Sequence, residues 1–294
     1  MKVAVAKYPI GQPRDFDAFA EKQVHLLQQA ADAGARIAVL PEYLSLELAA
    51  TFPVAVSADL LASLEATQQH AEDFLHLYAT LAQRMGLHVI AGSFLTAAGN
   101  GRYRNRAHWF TPDGRSGWQD KLQLTGFEKA AQVIEGGEEV RVFEADAIRA
   151  GIAVCYDAEF PLPVRAQQQA GTRLLLVPSC TDTQAGATRV KVGCLARALE
   201  NRVFVAQSVT AGIARWSPAL DENTGEAALF APMDVGLPAD GVVAQTSGEQ
   251  VWAVGELDFE ALEASRARAQ VANDRDWDGQ DAPALRRARV VPLA

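Results

Sequence analysis

Three strand ends of this sequence carry side chains that can cooperate in acyl transfer: a carboxylate at Glu42, an ammonium group at Lys121 and a thiol at Cys155. Each follows a run that is typical of a strand ending at a turn, and loops at strand ends carry polar groups toward clefts. A nucleophile, a proton acceptor and a cation are the groups that covalent catalysis at a carbonyl carbon requires. We therefore predict that Cys155 is a nucleophile and that the three side chains meet.

The thiol of Cys155 needs a base, because an unperturbed cysteine has a pKa of about 8.5 and holds its proton at neutral pH. None of the five histidines of the chain stands in a strand-end motif near Cys155. A carboxylate that burial keeps basic can take the proton, and a nearby lysine can stabilise the thiolate and then an oxyanion. We assign these roles to Glu42 and Lys121. The alternative is that Cys155 only fills the core, since free cysteine is among the most buried residue types.

The other two cysteines differ in their sequence context. Cys180 follows an apolar strand and a Pro-Ser pair, so it is a candidate for the wall of the cleft, with a structural role as the alternative. Cys194 lies among apolar residues of a predicted helix, and we expect it in the core. Three irregularly spaced cysteines and scattered histidines form neither a disulfide framework nor a zinc-ligand pattern, and reduced thiols are typical of the cytosol.

Composition narrows the class of protein. With 294 residues, of which 49% are hydrophobic and 21% charged, the chain is long enough for one large α/β domain with a substantial core. The net charge of -9 argues against a nucleic-acid binder and against binding to anionic membranes. No apolar run approaches the ~18 residues that span a bilayer, and charge interrupts the N-terminal run too early for a signal peptide. We expect a cytoplasmic protein without nucleic-acid or membrane partners.

Strands and helices alternate along the chain, with several hairpins between them. This pattern predicts an α/β fold, a four-layer α-β-β-α sandwich in which two mixed sheets pack face to face with helices outside. Residues 1–260 are expected to form the domain, and 261–294 its C-terminal helix and an extended tail. The predicted strands are 2–8, 37–40, 88–93, 107–111, 116–120, 139–143, 149–154, 174–177, 203–208, 229–232, 242–246 and 251–257, and the predicted helices are 16–33, 60–85, 163–170, 189–201 and 259–269.

These segments resemble the signature segments of the nitrilase, or carbon–nitrogen hydrolase, superfamily over about residues 1–260. The matching motifs occur in the family's order: L-P-E-Y around Glu42, a lysine after a hairpin strand at Lys121, and C-Y-D-x-x-F-P at Cys155. The segment A-R-A-L-E-N-R-V-F-V-A at 196–206 is similar to the family's helix after the catalytic strand. Each motif is weak alone, but their order, spacing and strand-end context together are specific.

Further motifs resemble one branch of the superfamily, in which the hydrolase domain is often fused to an acetyltransferase-like domain. They are P-E-Y-L-S-L-E-L after the glutamate, F-E-K after the lysine, C-Y-D-A-E-F-P, and F-A-P-M-D-V-G-L-P-A-D-G toward the end. Because the chain begins directly at the first hydrolase strand, we expect no fused domain before it. One departure is visible, since the family often has K-x-H where this chain has Lys121-Leu122-Gln123.

The resemblance implies a role for each site residue. Cys155 would attack a carbonyl or nitrile carbon, and Glu42 would take the thiol proton, pass it to the leaving amine and then activate water. Lys121 would stabilise the oxyanion together with the backbone N–H of Tyr156, while Glu128 matches the family's second glutamate, which positions substrate or base. The family implies no metal and no organic cofactor, and its members usually form homodimers through helices of the sandwich.

Further residues near these motifs receive structural roles. We expect Asp157 to orient its loop in the manner of turn aspartates, and Glu159 to pair with an arginine such as Arg197. Four loops are expected to shape the substrate pocket: 44–53, 125–135, 181–188 and 211–226.

The expected function is hydrolysis of a nonpeptide C–N bond in a small amide or N-carbamoyl compound, with release of ammonia and a carboxylic acid. Nitrile hydrolysis is disfavoured, because most branches of the family act on amides. Two alternatives stay open: an acyltransferase that passes the same acyl group to an amine or hydroxylamine, and a catalytically silent binding protein on the same fold. The presence of Glu42, Lys121 and Cys155 together argues against the silent protein, which needs none of them.

Overall fold

The computed structural model describes residues 1–146, 148–269 and 271–292. The strands are β1 (Lys2–Pro9), β2 (Ile37–Leu40), β3 (His88–Gly99), β4 (Arg102–Phe110), β5 (Ser116–Asp120), β6 (Ile134–Glu135), β7 (Val142–Ala145), β8 (Ile148–Ile152), β9 (Leu174–Ser179), β10 (Phe204–Ile213), β11 (Glu222–Asn223), β12 (Ala228–Phe230), β13 (Val242–Gln245) and β14 (Trp252–Glu256). The helices are α1 (Phe16–Asp32), α2 (Val54–Ser57), α3 (Leu60–Thr67), α4 (Ala71–Met85), α5 (Gly126–Ala131), α6 (Pro161–Gln169), α7 (Gln184–Asn201), α8 (Phe259–Arg268) and α9 (Asn273–Asp276). Short 3-10 segments span Leu44–Thr51, Gln68–His70, Cys155–Glu159, Trp277–Asp281 and Pro283–Arg286.

The strands form two mixed sheets. The first has the order β5-β4-β3-β2-β1-β14, and the second has the order β7-β8-β9-β10-β12-β13. Strands β1, β2 and β3 are parallel, as are β8, β9 and β10. The predicted strands 2–8 and 37–40 and the helix between them therefore form a parallel β-α-β unit. The sheets join where the ends of β1 and β10 pair, from Lys7 opposite Val209 to Pro9 opposite Ala211.

One apolar core lies between the two sheets. It contains Val5 and Ile90 from the first sheet and Leu176 and Val205 from the second, all of them buried. Strands that are buried on both faces consist of continuous apolar runs, and for this reason β2 and β9 could be predicted from the sequence. This packing places the strand ends of both sheets side by side.

Helices cover the outer face of each sheet. On the first sheet, Phe19 of α1 and Phe74 of α4 pack in a second buried cluster with residues of β1 and β2. On the second sheet, Val190, Cys194 and Ala198 of α7 are buried in one apolar cluster with residues of β8, β9 and β10. The predicted four-layer α-β-β-α sandwich is therefore confirmed, as is the core position of Cys194.

The predicted helix over 60–85 is interrupted. The chain forms α3, a 3-10 turn over Gln68–His70, and α4. The side chain of Gln68 explains the break: its Nε2 donates to the carbonyls of Leu64 (2.9 Å) and Leu95 (2.8 Å), and its Oε1 accepts from the N–H of Ala97 (3.0 Å). These bonds tie the turn to β3, and apolar periodicity does not report such a bond.

Two further predictions are wrong. Helix α7 begins at Gln184 rather than at Arg189, because Thr183 caps it by accepting from the N–H of Gly186 at 3.0 Å. The tail is not simply extended, since it contains α9 and the 3-10 segments Trp277–Asp281 and Pro283–Arg286. Asp274 holds this tail to the domain through an ion pair with Arg266.

Candidate active site

The structure places Glu42, Lys121 and Cys155 together at the carboxyl ends of β2, β5 and β8. All three are buried, with 1%, 2% and 3% of their surface exposed, yet they line one cavity of about 300 Å³. Lys121 Nζ lies 2.8 Å from Glu42 Oε1. The backbone of Cys180 links Glu42 to Cys155. Its N–H donates to Glu42 Oε2 at 3.0 Å, and its carbonyl oxygen lies 3.4 Å from Cys155 Sγ.

A tight turn against β3 holds Glu42. The N–H of Tyr43 donates to Ser93 Oγ (3.0 Å), and Tyr43 itself has a left-handed backbone with φ of 64°. Gly92 is required at the contact behind this turn, since a Cβ there would lie 2.0 Å from the carbonyl oxygen of Pro41. The carboxylate is thus fixed by backbone geometry as well as by its own hydrogen bonds.

Lys121 lies between two carboxylates. Its Nζ contacts Glu42 Oε1 and Glu128 Oε2, each at 2.8 Å. Burial lowers the pKa of Lys121, but the charges of Glu42 and Glu128 more than offset this, so its pKa is raised and the group stays an ammonium ion. An ammonium group has three N–H donors, so two carboxylate contacts leave one donor for a substrate oxygen.

Glu128 is held by the start of its own helix. In the capping box of α5, Glu128 Oε2 accepts from the N–H (2.8 Å) and Oγ1 (3.1 Å) of Thr125, while Oε1 accepts from the hydroxyl of Tyr43 at 2.6 Å. Burial raises the pKa of Glu128, but the Lys121 charge and these hydrogen bonds outweigh it and lower the pKa overall. Glu128 is therefore a fixed negative charge.

Glu42 is the more basic of the two carboxylates. Burial raises its pKa, the Lys121 charge opposes this, and the Glu128 charge adds to it, with a net rise. Neighbouring carboxyl groups whose pKa values are pushed apart are suited to different tasks. Here Glu42 is suited to accept and return a proton, whereas Glu128 keeps its charge.

Asn105 is a site residue that sequence reasoning missed. It is fully buried on β4, and its Nδ2 donates to Glu42 Oε1 at 2.7 Å and to Glu128 Oε1 at 3.2 Å. The signal was the alternation of the strand, in which Tyr103, Asn105 and Ala107 face inward between exposed or half-buried arginines. An amide that faces the interior needs buried polar partners.

Cys155 begins the 3-10 turn Cys155–Glu159 with a left-handed backbone, φ of 50°. A non-glycine residue in this region is strained, and such positions cluster at functional sites. Burial raises the pKa of Cys155 well above its usual value, the Glu42 charge raises it further, and Lys121 opposes them. The resting thiol therefore holds its proton beside the carboxylate.

Asp157 connects the turn of Cys155 to the strand end of Lys121. Its carboxylate accepts from the N–H groups of Leu122 (3.1 Å), Gln123 (2.7 Å) and Val154 (3.2 Å). Burial raises the pKa of Asp157 to about 6 despite these bonds. The expected loop-orienting role agrees with this geometry.

Glu159 pairs with an arginine, as predicted, but the partner is Arg189 and not the suggested Arg197. Arg197 instead pairs with Glu200 on the same helix at 3.0 Å, one turn away, and Glu159 lies 3.8 Å from Arg189 at the cavity mouth. Residues three apart on a helix are neighbours, which favours the local pair.

Loops from both sheets form the cavity walls. Residues of the predicted pocket loops 125–135, 181–188 and 211–226 line it, but none of 44–53 does. Cys180 lines the cavity as its sequence context suggested, and burial raises its thiol pKa to about 12. Tyr156 also lines it, with its ring packed edge-on against Phe160.

No group of three or more His, Cys, Asp or Glu side chains in residues 1–146, 148–269 and 271–292 is arranged to hold a metal ion. In the same residues, no helix combines the length and the apolar character needed to cross a bilayer.

The sequence of this chain is similar to the sequences of known and probable hydrolases. A "Probable hydrolase YhcX" of Bacillus subtilis is 29% identical over 277 residues, covering 94% of this chain but only 53% of that protein. The "Omega-amidase NIT2-A" of Xenopus laevis is 25% identical over 262 residues, covering 86% of this chain and 87% of its own. The chain thus spans about half of the first relative and most of the second.

Solved structures show the same fold at low sequence identity. Nit3 of Saccharomyces cerevisiae, described as a member of branch 10 of the nitrilase superfamily, has a TM-score of 0.74 at 18% identity, covering 94% of this chain and 96% of that one. An amidase from Nesterenkonia sp. has a TM-score of 0.68 at 21% identity, covering 94% and 96%. The model of the carbon-nitrogen hydrolase family matches residues 2–251. The chain belongs to this family of hydrolases.

Proposed function

We propose that this hydrolase cleaves the C–N bond of small amides or N-carbamoyl compounds through an acyl-enzyme on Cys155. The observation that carries the proposal is the shared contact network of Glu42, Lys121 and Cys155 on the wall of one cavity. The names of the relatives agree with it, since one is an omega-amidase and another an amidase.

In the first step, Cys155 Sγ attacks the amide carbon as its proton passes to Glu42. Burial keeps this carboxylate basic, which compensates for the raised pKa of the thiol. The carbonyl oxygen becomes an oxyanion, which the third N–H of Lys121 and the backbone N–H of Tyr156 stabilise in a water-poor site.

In the second step, the tetrahedral intermediate collapses. The C–N bond breaks, Glu42 returns its proton to the nitrogen, and ammonia leaves a thioester on Cys155. Glu42 then takes a proton from water, whose oxygen attacks the thioester carbon. The C–S bond breaks, the carboxylic acid departs and the proton returns to the thiol. Throughout, Glu128 and Asn105 hold Lys121 and Glu42 in position.

Ammonia release from a panel of small ω-amides and carbamoyl amino acids tests this function. We expect Cys155→Ala to abolish turnover while the fold is kept, because no other group replaces the sulfur. Cys194→Ala is the matched control, since that thiol packs in the core away from the cavity, and its turnover should persist. Undiminished hydrolysis by Cys155→Ala would contradict the mechanism. Product analysis with added hydroxylamine separates hydrolysis from acyl transfer.

We also propose a homodimer in the cytoplasm. Leu162 of α6 and Val192 of α7 are 71% and 58% exposed on the helical layer of the second sheet, as a helix-mediated interface requires. Light scattering of the purified protein tests the dimer.

Residues 1–260 are proposed as the domain and 261–294 as its C-terminal extension. Kinship with the acetyltransferase-fused branch is likewise a proposal, supported by the match to about half of the longer Bacillus subtilis protein.

A further inference from the structure

We propose that the mouth of the cavity selects amides whose far end carries a positive charge over amides that end in a carboxylate. This inference rests on the proposed amide hydrolysis and names the substrate class of that site. It concerns the rim above Cys155, where the part of the substrate that does not react must lie.

Negative side chains dominate this rim. Beyond the buried groups at its base, the cavity is lined by the carboxylates of Glu159, Asp182, Asp221 and Glu222, against one guanidinium group, that of Arg189. Converging charges of one sign in a cleft create a field that attracts the opposite charge. A cationic group therefore gains energy on entry, and an anionic group loses it.

Each of the two cations of the cavity wall has a carboxylate beside it. Lys121 contacts Glu42 and Glu128, and Arg189 lies 3.8 Å from Glu159 with 63% of its side chain exposed. A substrate carboxylate that approached Arg189 would meet Glu159 and the remaining acids of the rim. Among the described residues that line the cavity, no further cation is available to it.

The three outer acids, by contrast, are available. Within residues 1–146, 148–269 and 271–292, Asp182, Asp221 and Glu222 form no ion pair, and all three are exposed. They approach from two directions, Asp182 just before α7 and the other two at the start of β11. An ammonium group that enters between them meets carboxylates on both sides.

The cavity also offers apolar surface to a substrate. Phe127, Val190 and Ala219 line the cavity together with the acids. A short methylene chain can pack against such side chains while its ends stay polar. The site is therefore suited to an amide joined through several methylene groups to an amine.

Three amides of matched length test the inference: 5-aminopentanamide, pentanamide and the monoamide of glutaric acid. We expect kcat/KM to be highest for the cation and lowest for the anion, with about a tenfold difference between them in low salt that shrinks near 0.5 M NaCl. Equal values for all three, or preference for the anion, would overturn the inference while leaving amide hydrolysis intact. Absence of ammonia release from all three, pentanamide included, would overturn the proposed function instead.

A triple variant locates the selectivity. Asp182→Asn, Asp221→Asn and Glu222→Gln together keep the side-chain shapes and remove three charges. We expect the ratio of kcat/KM for 5-aminopentanamide to kcat/KM for pentanamide to fall about fivefold or more. Glu21→Gln, which removes an exposed charge on α1 away from the cavity, should leave the preference intact. A triple variant with the full preference would place the selectivity elsewhere and overturn the assignment.

Discussion

Asn105 donates its side-chain amide to Glu42, with Nδ2 at 2.7 Å from Oε1, and the same nitrogen lies 3.2 Å from Glu128. The residue is fully buried, and its Oδ1 has no hydrogen-bond partner among the described residues. A buried polar atom without a partner costs on the order of 1–3 kcal/mol. The Oδ1 atom of Asn105 therefore lowers the stability of the fold, whereas its Nδ2 atom orients the carboxylates of Glu42 and Glu128.

Asn105→Ala is expected to lower kcat about 10- to 100-fold with little change in KM, because Glu42 loses a donor that fixes its orientation. A hydrogen bond to a carboxylate favours its charged form, so its loss raises the Glu42 pKa and moves the acidic limb of the kcat–pH profile to higher pH. Asn201→Ala is the control, since that buried asparagine bonds to the carbonyl of Arg197 instead. An unshifted acidic limb in Asn105→Ala would contradict the positioning role.

Glu128→Gln should move the acidic limb of the kcat–pH profile to lower pH. The negative charge of Glu128 raises the pKa of Glu42, so its removal lowers that pKa and extends activity to lower pH. The maximal kcat should nevertheless fall, about 100-fold, because Lys121 loses one of the two carboxylates that hold it. Glu47→Gln is the matched control, because this buried glutamate pairs with Lys22. Opposite shifts in Glu128→Gln and Asn105→Ala would separate charge from orientation.

The layer order and the three strand ends were predictable from sequence, because buried strands carry uninterrupted apolar runs and the residues that end them are conspicuous. The role of Asn105 was not, since the alternation of its strand indicates an inward-facing amide but does not identify the carboxylates that it contacts. The break in the helix at Gln68 and the identity of the arginine that pairs with Glu159 were not predicted for the same reason. Both depend on groups distant in the sequence, the carbonyl of Leu95 for Gln68 and the guanidinium of Arg189 for Glu159.

Asp157 should make the free energy of unfolding depend on pH. Its folded pKa of about 6 is higher than the ordinary value of 3.8, so the native state binds more protons between these values and stability falls as pH rises through the interval. The Asp157 contribution to the free energy of unfolding should drop by about 3 kcal/mol from pH ~3.5 to pH ~6.5 and stay level above that. Urea unfolding of the native protein and of Asp157→Asn across this range measures it. A constant difference between the two proteins would show that Asp157 is not proton-linked.

Cys155 should be the first of the three cysteines to react with stoichiometric iodoacetamide, although burial raises its pKa. In the proposed mechanism Glu42 takes the thiol proton as the sulfur attacks, whereas the Cys180 thiol donates to Asn223 Oδ1 at 3.5 Å and Cys194 is buried in the core. Peptide mass spectrometry over time resolves the three sites. In Glu42→Gln, which keeps the side-chain shape but cannot accept the proton, the rate at Cys155 should fall at least about tenfold while the rates at the other two hold. Equal labelling of all three thiols, or an unchanged rate at Cys155 in Glu42→Gln, would mean that Glu42 does not activate the sulfur.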